Sequence, residues 1–329
     1  MTDAVAKNYS VYVAKGIAQT GLNMAMLQIR KNSSWKEGFS SLPLMGGNLD
    51  VAVAQTTYKG LSVVQVTSVG TVNPGTTQER KDSSVAYISQ NLGPAAVRAA
   101  LTSDHFVELN DGMILDGRDH TSLGVLTNVG GGTLALYTLG GYEQGSGLAG
   151  GSSGGIDYVP STHPNALTIK KNQTPPEGYP NLPDSVMGGV AQGYPPGTLK
   201  ALAQSGINGS QYVTKTSKLK YPLRGITYVE TSEWENNAIS GSGILVVHNA
   251  SSSSVCENLT GSFKGLFIGD EIAHINMDII GAVYSMKGHE DDIGNGTGSI
   301  LYSSEVLKGL WSIAGGSGSS GSSVVAVWE

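Results

Sequence analysis

The sequence predicts an α+β protein with a β-solenoid: a long N-terminal helix packed on an antiparallel meander, followed by a right-handed parallel β-helix. Three observations predict it. Apolar residues recur at helical spacing over residues 1–31 and switch to a period of two over 47–89. From about residue 105 onward, short β-prone pieces alternate with glycine and polar residues. Within that stretch Gly243, Gly265 and Gly281 each precede an apolar run, at intervals of 22 and 16, within range of one solenoid coil. The expected division is 1–103 for the helix and meander and 104–329 for the solenoid, the latter carrying a Pro-rich insertion at about 172–197 and a C-terminal strand.

Taken in order, the first element is the helix. Val5, Tyr9, Val13 and Ile17 recur every four residues, and Ala18, Leu22, Ala25, Met26 and Ile29 continue the stripe. Gly16 and Gly21 weaken it by roughly 1 kcal/mol each relative to alanine. Asn32-Ser33-Ser34 ends it. "NLDVAVAQT" alternates, with Leu49, Val51 and Val53 on one face, and "LSVVQVTSV" follows after a turn at Tyr58-Lys59-Gly60. "ERKDSSVAYIS" is the third strand, and "LGPAAVRAAL" reads as a short helix with Pro94 in its first turn.

The remainder is built from "HFVEL", "GMILDG", "TLALYTL", "GITYVE", "GILVV", "GLFIG", "IIGAVYS" and "GSILYSS". A sandwich would need tight two-residue hairpin turns between such pieces. Only "INGS" (207–210) and "GNGTGS" (294–299) approach that, which favours the solenoid. Six prolines between Pro175 and Pro196 exclude a central strand or a helix interior there and predict a surface excursion over the solenoid. "GTLKALAQSG" reads as a helix closed by Gly206, and "SSEVLKGLW" as another with a serine cap. A "GGSGSSGSS" loop and a last strand, "VVAVW", complete the chain.

Composition narrows function. Glycine is frequent (46 residues) and charged residues make up only 14%, which suits short strands and tight turns. A net charge of −6 argues against a general nucleic-acid or anionic-membrane binder. The single Cys256 excludes an internal disulfide and any cysteine-based zinc site. No run is long and apolar enough to span a bilayer.

Several clusters could carry chemistry. "DGRDH" (116–120) brings Asp116, Asp119 and His120 together, and Asp116 and Asp119 are the candidate metal ligands, with Ca²⁺ the candidate ion. Arg118 is equally able to neutralise either carboxylate as a bidentate partner, which would make the string a structural turn. "HEDDIGNG" (289–296) reads as a solvated loop. In "GLFIGDEIAHINMDIIGAVYS" (265–285), Asp270 and Asp278 could face one groove, as a polysaccharide-cleaving β-helix would require, and convergence of both with His274 in one cleft would mark such a site. The preferred reading makes that stretch scaffold: Leu266–Ile268 and Ile279–Tyr284 as neighbouring strands, Ile272 and Ile275 inward, and Asp270, Glu271, His274 and Asn276 hydrated at corners. "GSGSSG" matches a nucleophile elbow by letters only, and phosphate-loop and zinc patterns are absent. The expectation is a protein without catalytic residues or a required cofactor. Tyr137, Tyr142, Tyr158, Tyr179, Tyr194 and Tyr212 are expected as exposed aromatics, suited to sugar or protein contacts or to capping hydrophobic corners.

The opening "NYSVYVAKGIAQTGLNMAMLQIRKNSSW" resembles the exposed half of the first helix of type IV pilin-like proteins, through Ala18, Gly21, Leu22, Asn23, Ala25, Leu27, Arg30, Asn32 and Trp35. "ILDGRDH", "GILVV", "FKGLFIGDEI", "IIGAVYS", "NGTGSILYSSEVL" and the final "VVAVWE" are similar to the large C-terminal β-helical domain of some minor pilins and pilus-assembly proteins. The resemblance implies a subunit of a type IV pilus or pseudopilus at the bacterial cell surface. It would contact other pilin subunits through the helix and present the β-domain for adhesion, assembly priming or substrate capture of a glycan or protein. Family members begin with a basic leader and an apolar anchoring helix. Neither precedes Tyr9, so the expectation is a truncated soluble piece with Met1 as an added start, reaching a membrane only through that missing helix. The runner-up is a secreted carbohydrate-active β-helix protein, either a lyase or hydrolase or a glycan-binding module. DNA capture during uptake ranks third.

Overall fold

The computed structural model describes residues 3–31, 35–58, 61–89, 94, 96–127, 129–192, 194–287, 294–314 and 327–328. The protein is α+β and mostly strand, and it divides into two compact units: Met1–Leu92 with Gly321–Glu329, and Gly93–Ser320. The boundary therefore lies earlier than 103/104. The C-terminal strand Val327–Trp328 belongs to the first unit, so the second is inserted between two strands of the first.

In the first unit, helix α1 (Asp3–Lys31) lies on an antiparallel sheet of β1 (Phe39–Leu44), β2 (Gly47–Tyr58), β3 (Leu61–Val72) and β4 (Arg80–Ser89), in that order. Val327–Trp328 adds an antiparallel fifth strand beside Tyr87 and Ala86 of β4. Ala14, Ile17, Leu22, Ala25 and Ile29 bury against Leu49, Val51, Val64, Val66, Ala86 and Ile88. The alternation read from the sequence is thus the core-facing period of β2 to β4. The stripe departs from the helical pattern at its start, where Tyr9 is 71% exposed.

Gly21 is where the helix meets the sheet. A methyl group there would collide with Ser68 Oγ and Leu49 Cδ1. The glycine that costs helix propensity lets the two layers close. Gly16 has no such role, since a methyl there would meet nothing nearer than Met45 Cε at 3.9 Å.

In the second unit the strands are β5 (Ala99–Ser103), β6 (Val107–Leu109), β7 (Ile114–Asp116), β8 (Leu134–Thr138), β9 (Tyr142–Gln144), β10 (Leu148–Ser153), β11 (Ile156–Ser161) and β12 (Ile169–Lys170). After the Pro-rich segment come β13 (Gln211–Val213), β14 (Ile226–Val229), β15 (Glu233–Glu235), β16 (Ala238–Val247), β17 (Val255–Glu257), β18 (Thr260–Gly269), β19 (Glu271–Ala273), β20 (Asn276–Ser285) and β21 (Ser299–Tyr302). "LGPAAVRAAL" is not helical in its described part. Its end forms β5, which pairs in parallel with β8 and β20, because burial of Ala99, Ala100 and Leu101 between strands outweighs alanine's helix propensity.

Parallel pairing dominates this unit. β13, β14, β16, β18 and β20 are successive parallel neighbours in one sheet, and β15, β17 and β19 form a second parallel sheet. From β14 to β20 the chain visits the two sheets alternately. Both supply one core: Val229, Leu245, Phe267 and Val283 from the first, and Trp234, Cys256 and Ile272 from the second. Gly243, Gly265 and Gly281 stand in one register column. Each has positive φ, and each would drive a Cβ into the carbonyl oxygen of the preceding glycine. The column marks a change of direction: the N-terminal half of β20 pairs with β21, its C-terminal half with β5.

The first sheet is buried on its other face too. Helix α3 (Thr198–Ser205) packs on β13 and β14, α4 (Ser304–Ala314) on β16, β18 and β20, and the short α2 (Pro183–Val186) on β18. The Pro-rich segment is the covering excursion that its prolines predict, with Val186, Met187 and Tyr194 buried. Asp184 in α2 accepts the N–H groups of Gly197 (2.7 Å) and Leu199 (2.8 Å), capping α3 from a distance in sequence. Gly206, with left-handed backbone, ends α3 as read.

Candidate functional site

The first candidate is "DGRDH". Asp116, at the end of β7, is 3% exposed. Arg118 Nε donates to both its oxygens (2.9 and 3.2 Å), and Nη2 to Oδ2 at 2.7 Å. The Arg118 main-chain N–H adds a bond to Oδ1 at 3.0 Å. This pairing raises the Arg118 pKa further above its ordinary value, the Asp116 hydrogen bond being the main cause. His120 Nε2 lies 3.5 Å from Asp116 Oδ2, and its Nδ1 is 3.1 Å from the Tyr302 carbonyl. Asp119 turns to α4, accepting Ser304 N–H (2.8 Å) and Ser304 Oγ–H (2.9 Å). The two candidate metal ligands thus diverge: one is neutralised by a fork-on-fork arginine, the other caps a helix.

The 265–285 stretch behaves as scaffold, with one correction. Leu266–Ile268 and Ile279–Tyr284 lie on neighbouring parallel strands, and Ile272 and Ile275 point into the core. His274 has φ of 47°, continuing the column in which Asn258 and Asn236, one strand and two strands earlier, both have φ of 51°. It occupies a left-handed corner that suits asparagine and histidine better than most residues. Its Nδ1 lies 3.4 Å from Glu257 Oε1. Asp278 accepts Ser299 Oγ–H at 2.7 Å. Asp270 is the exception: it is fully buried, not hydrated. Asp270, His274 and Asp278 therefore do not converge, and the carboxylate pair that the hydrolase reading needs is not assembled from them.

Asp270 can be buried because its oxygens are filled by donors. Oδ1 faces His248 Nδ1 at 2.6 Å, and Oδ2 accepts the N–H groups of Asn249 (3.2 Å) and Ser254 (3.1 Å). Because a carboxylate oxygen only accepts, Nδ1 is the donor in this contact, and Nε2 is the ring nitrogen not engaged by Asp270. Val229, Val247 and Gly269 are register partners, so Glu230, His248 and Asp270 follow one another in a single column at the sheet's end. Glu230 Oε2 accepts Lys200 Nζ (2.7 Å) and Tyr212 Oη (2.5 Å). Lys200 above all, and Tyr212 next, hold the Glu230 carboxyl below its usual pKa. The Tyr228 ring meets His248 edge-on, with centroids 6.4 Å apart. Burial pushes the Tyr228 hydroxyl upward and the Cys256 thiol well upward.

The sequence reading missed His248 and Glu230. A signal was present: His248 and Asp270 are 22 residues apart, the same interval as Gly243 to Gly265. The aromatics also need correction. Tyr137 and Tyr194 are buried, and Tyr142, Tyr158, Tyr179 and Tyr212 are half-buried. Tyr179 stacks on Tyr284 (5.0 Å, 21°) and donates to the Ser285 carbonyl at 2.6 Å. Tyr179 and Tyr212, whose hydroxyl bonds to Glu230, are thus engaged within the chain. In "HEDDIGNG", Glu290, Asp291 and Asp292 lie outside the described residues. Among the described residues no helix is long and apolar enough to cross a membrane. No family model, curated protein or solved structure matches the chain.

Proposed function

We propose that the chain is an accessory subunit of a type IV pilus or related pseudopilus, at the cell surface, with residues 93–320 forming a right-handed β-solenoid that acts as a binding surface. The observation that carries this reading is the first unit: one long helix laid on an antiparallel meander, with Tyr9, Tyr12 and Leu27 outward along the helix. That arrangement suits docking of the helix among like helices. The alternation of β14 to β20 between two sheets over one shared core, with one glycine column running through β16, β18 and β20, supports the solenoid. Inserting the large unit before the last strand lets it be displayed without interrupting the α1–sheet core. The binding surface acts by shape and polar contacts on a glycan or protein, without covalent chemistry.

The test is to shear surface filaments from the producing cells and probe them for the chain, beside cells in which Tyr9 and Tyr12 are both changed to glutamate. Co-purification of the unaltered chain and its loss in the double variant are expected. A chain found only in the cytoplasmic fraction would sink the reading.

A further inference from the structure

We propose that His248 and Glu230 form a binding site for a first-row divalent transition metal, with Asp270 as the residue that positions the imidazole. The inference does not depend on the filament reading. His248 is held in one tautomer by a fully buried carboxylate that is itself fixed by two main-chain N–H groups. Among the described residues its Nε2 has no protein partner, and the side chain keeps 11% of its surface open. A ring anchored to a carboxylate through one nitrogen and open at the other is the usual arrangement of a metal-ligating histidine, because the anchor orients the ring and raises its basicity.

The second ligand comes from the neighbouring strand. Glu230 and His248 each directly follow a residue of one register pair, Val229 and Val247, so they leave neighbouring parallel strands side by side, and the His248 N–H donates to the Val229 carbonyl at 3.1 Å. Glu230 uses only Oε2 for Lys200 and Tyr212, and Oε1 remains available. Imidazole nitrogen with carboxylate oxygen selects Zn²⁺, Ni²⁺ or Cu²⁺ over Ca²⁺, which requires an all-oxygen shell. Water completes the coordination sphere. A partner's side chain could replace that water, so the site would suit metal-bridged contact with a second macromolecule. Lys200, whose ammonium lies on Glu230, must swing away as the metal enters, which makes Lys200 a brake on affinity.

The test uses the full chain, with Zn²⁺ as probe and calorimetry as readout. Binding to one site is expected, abolished by His248→Gln, which lacks the ligating nitrogen. Glu230→Gln is expected to weaken binding about 10-fold. Asp270→Asn should weaken it about 10–100-fold while leaving both ligands in place. Lys200→Met is expected to tighten it. Co²⁺ should give a visible absorption band in the unaltered chain and none in His248→Gln. If Asp270→Asn does not fold, the His248 and Glu230 variants, both partly open to solvent, still decide the matter. No heat of Zn²⁺ binding, or equal binding by His248→Gln and the unaltered chain, overturns the proposal. His274→Gln serves as control and should bind as the unaltered chain does.

Discussion

Glycine holds both units together, but for different reasons. In the first unit Gly21 has helical backbone, and Gly70 lies in a strand. What matters there is the missing side chain: a methyl at Gly70 would strike the Ala14 carbonyl, and one at Gly21 would strike Ser68 and Leu49. In the second unit Gly243, Gly265 and Gly281 lack room as well, but they also have φ of 124°, 154° and 143°, which side-chain-bearing residues rarely adopt. A helix on an antiparallel sheet needs glycine for approach between layers. A stack of bent parallel strands needs it for approach and for the bend itself. A substitution in the stack therefore carries two penalties where one in the helix carries one.

Three glycine substitutions test that contrast and two carboxylate-linked ones set its scale, each followed by denaturant unfolding at unchanged slope. Gly265→Ala, at the centre of the column, is expected to cost about 4 kcal/mol or more through clash and strain together. A loss below about 1 kcal/mol would break the two-penalty account. His248→Ala leaves the Asp270 carboxylate buried without its imidazole and should cost roughly 3 kcal/mol. A neutral result would mean that the main-chain donors alone satisfy it. Gly21→Ala should cost about 2 kcal/mol by overpacking the helix–sheet contact. Asp119→Ala removes the cap of α4 and should cost about 1 kcal/mol. Near-zero loss there, with raised ellipticity, would show that α4 starts independently of "DGRDH". Gly16→Ala, in open space on the same helix as Gly21, should stabilise by about 0.5–1 kcal/mol. If Gly21→Ala stabilises as Gly16→Ala does, propensity outweighs packing in α1 and the comparison fails.

Much of the fold was legible because it rests on local repetition. The period of two in "NLDVAVAQT" and "LSVVQVTSV" forms β2 and β3 in one hairpin register, and each glycine before an apolar run became one position of the column. "LGPAAVRAAL" misled, since alanine favours a helix only where no sheet is waiting to bury it. The DGRDH ambiguity was legible as stated: Arg118 does hold Asp116, but nothing local indicated that Asp119 would reach Ser304, 185 residues away. Asp270 misled because a charged residue between glycine and glutamate reads as a solvated corner. Only a donor on another strand makes its burial affordable.

By itself, then, the amino-acid sequence determined the periodicities: where the helix runs, where strands alternate, and which glycines recur at matching intervals. Those follow from the geometry of single elements, 3.6 residues per turn and two per strand repeat. Tertiary structure alone decided which charges are silent. Asp116 is matched by Arg118, Asp119 by the start of α4, and Asp270 by His248 and two main-chain N–H groups. The free energy of a carboxylate depends on which donors surround it and how much water they displace. Apart from the nearby Arg118, those donors are set by strand register and by chain segments far apart in sequence.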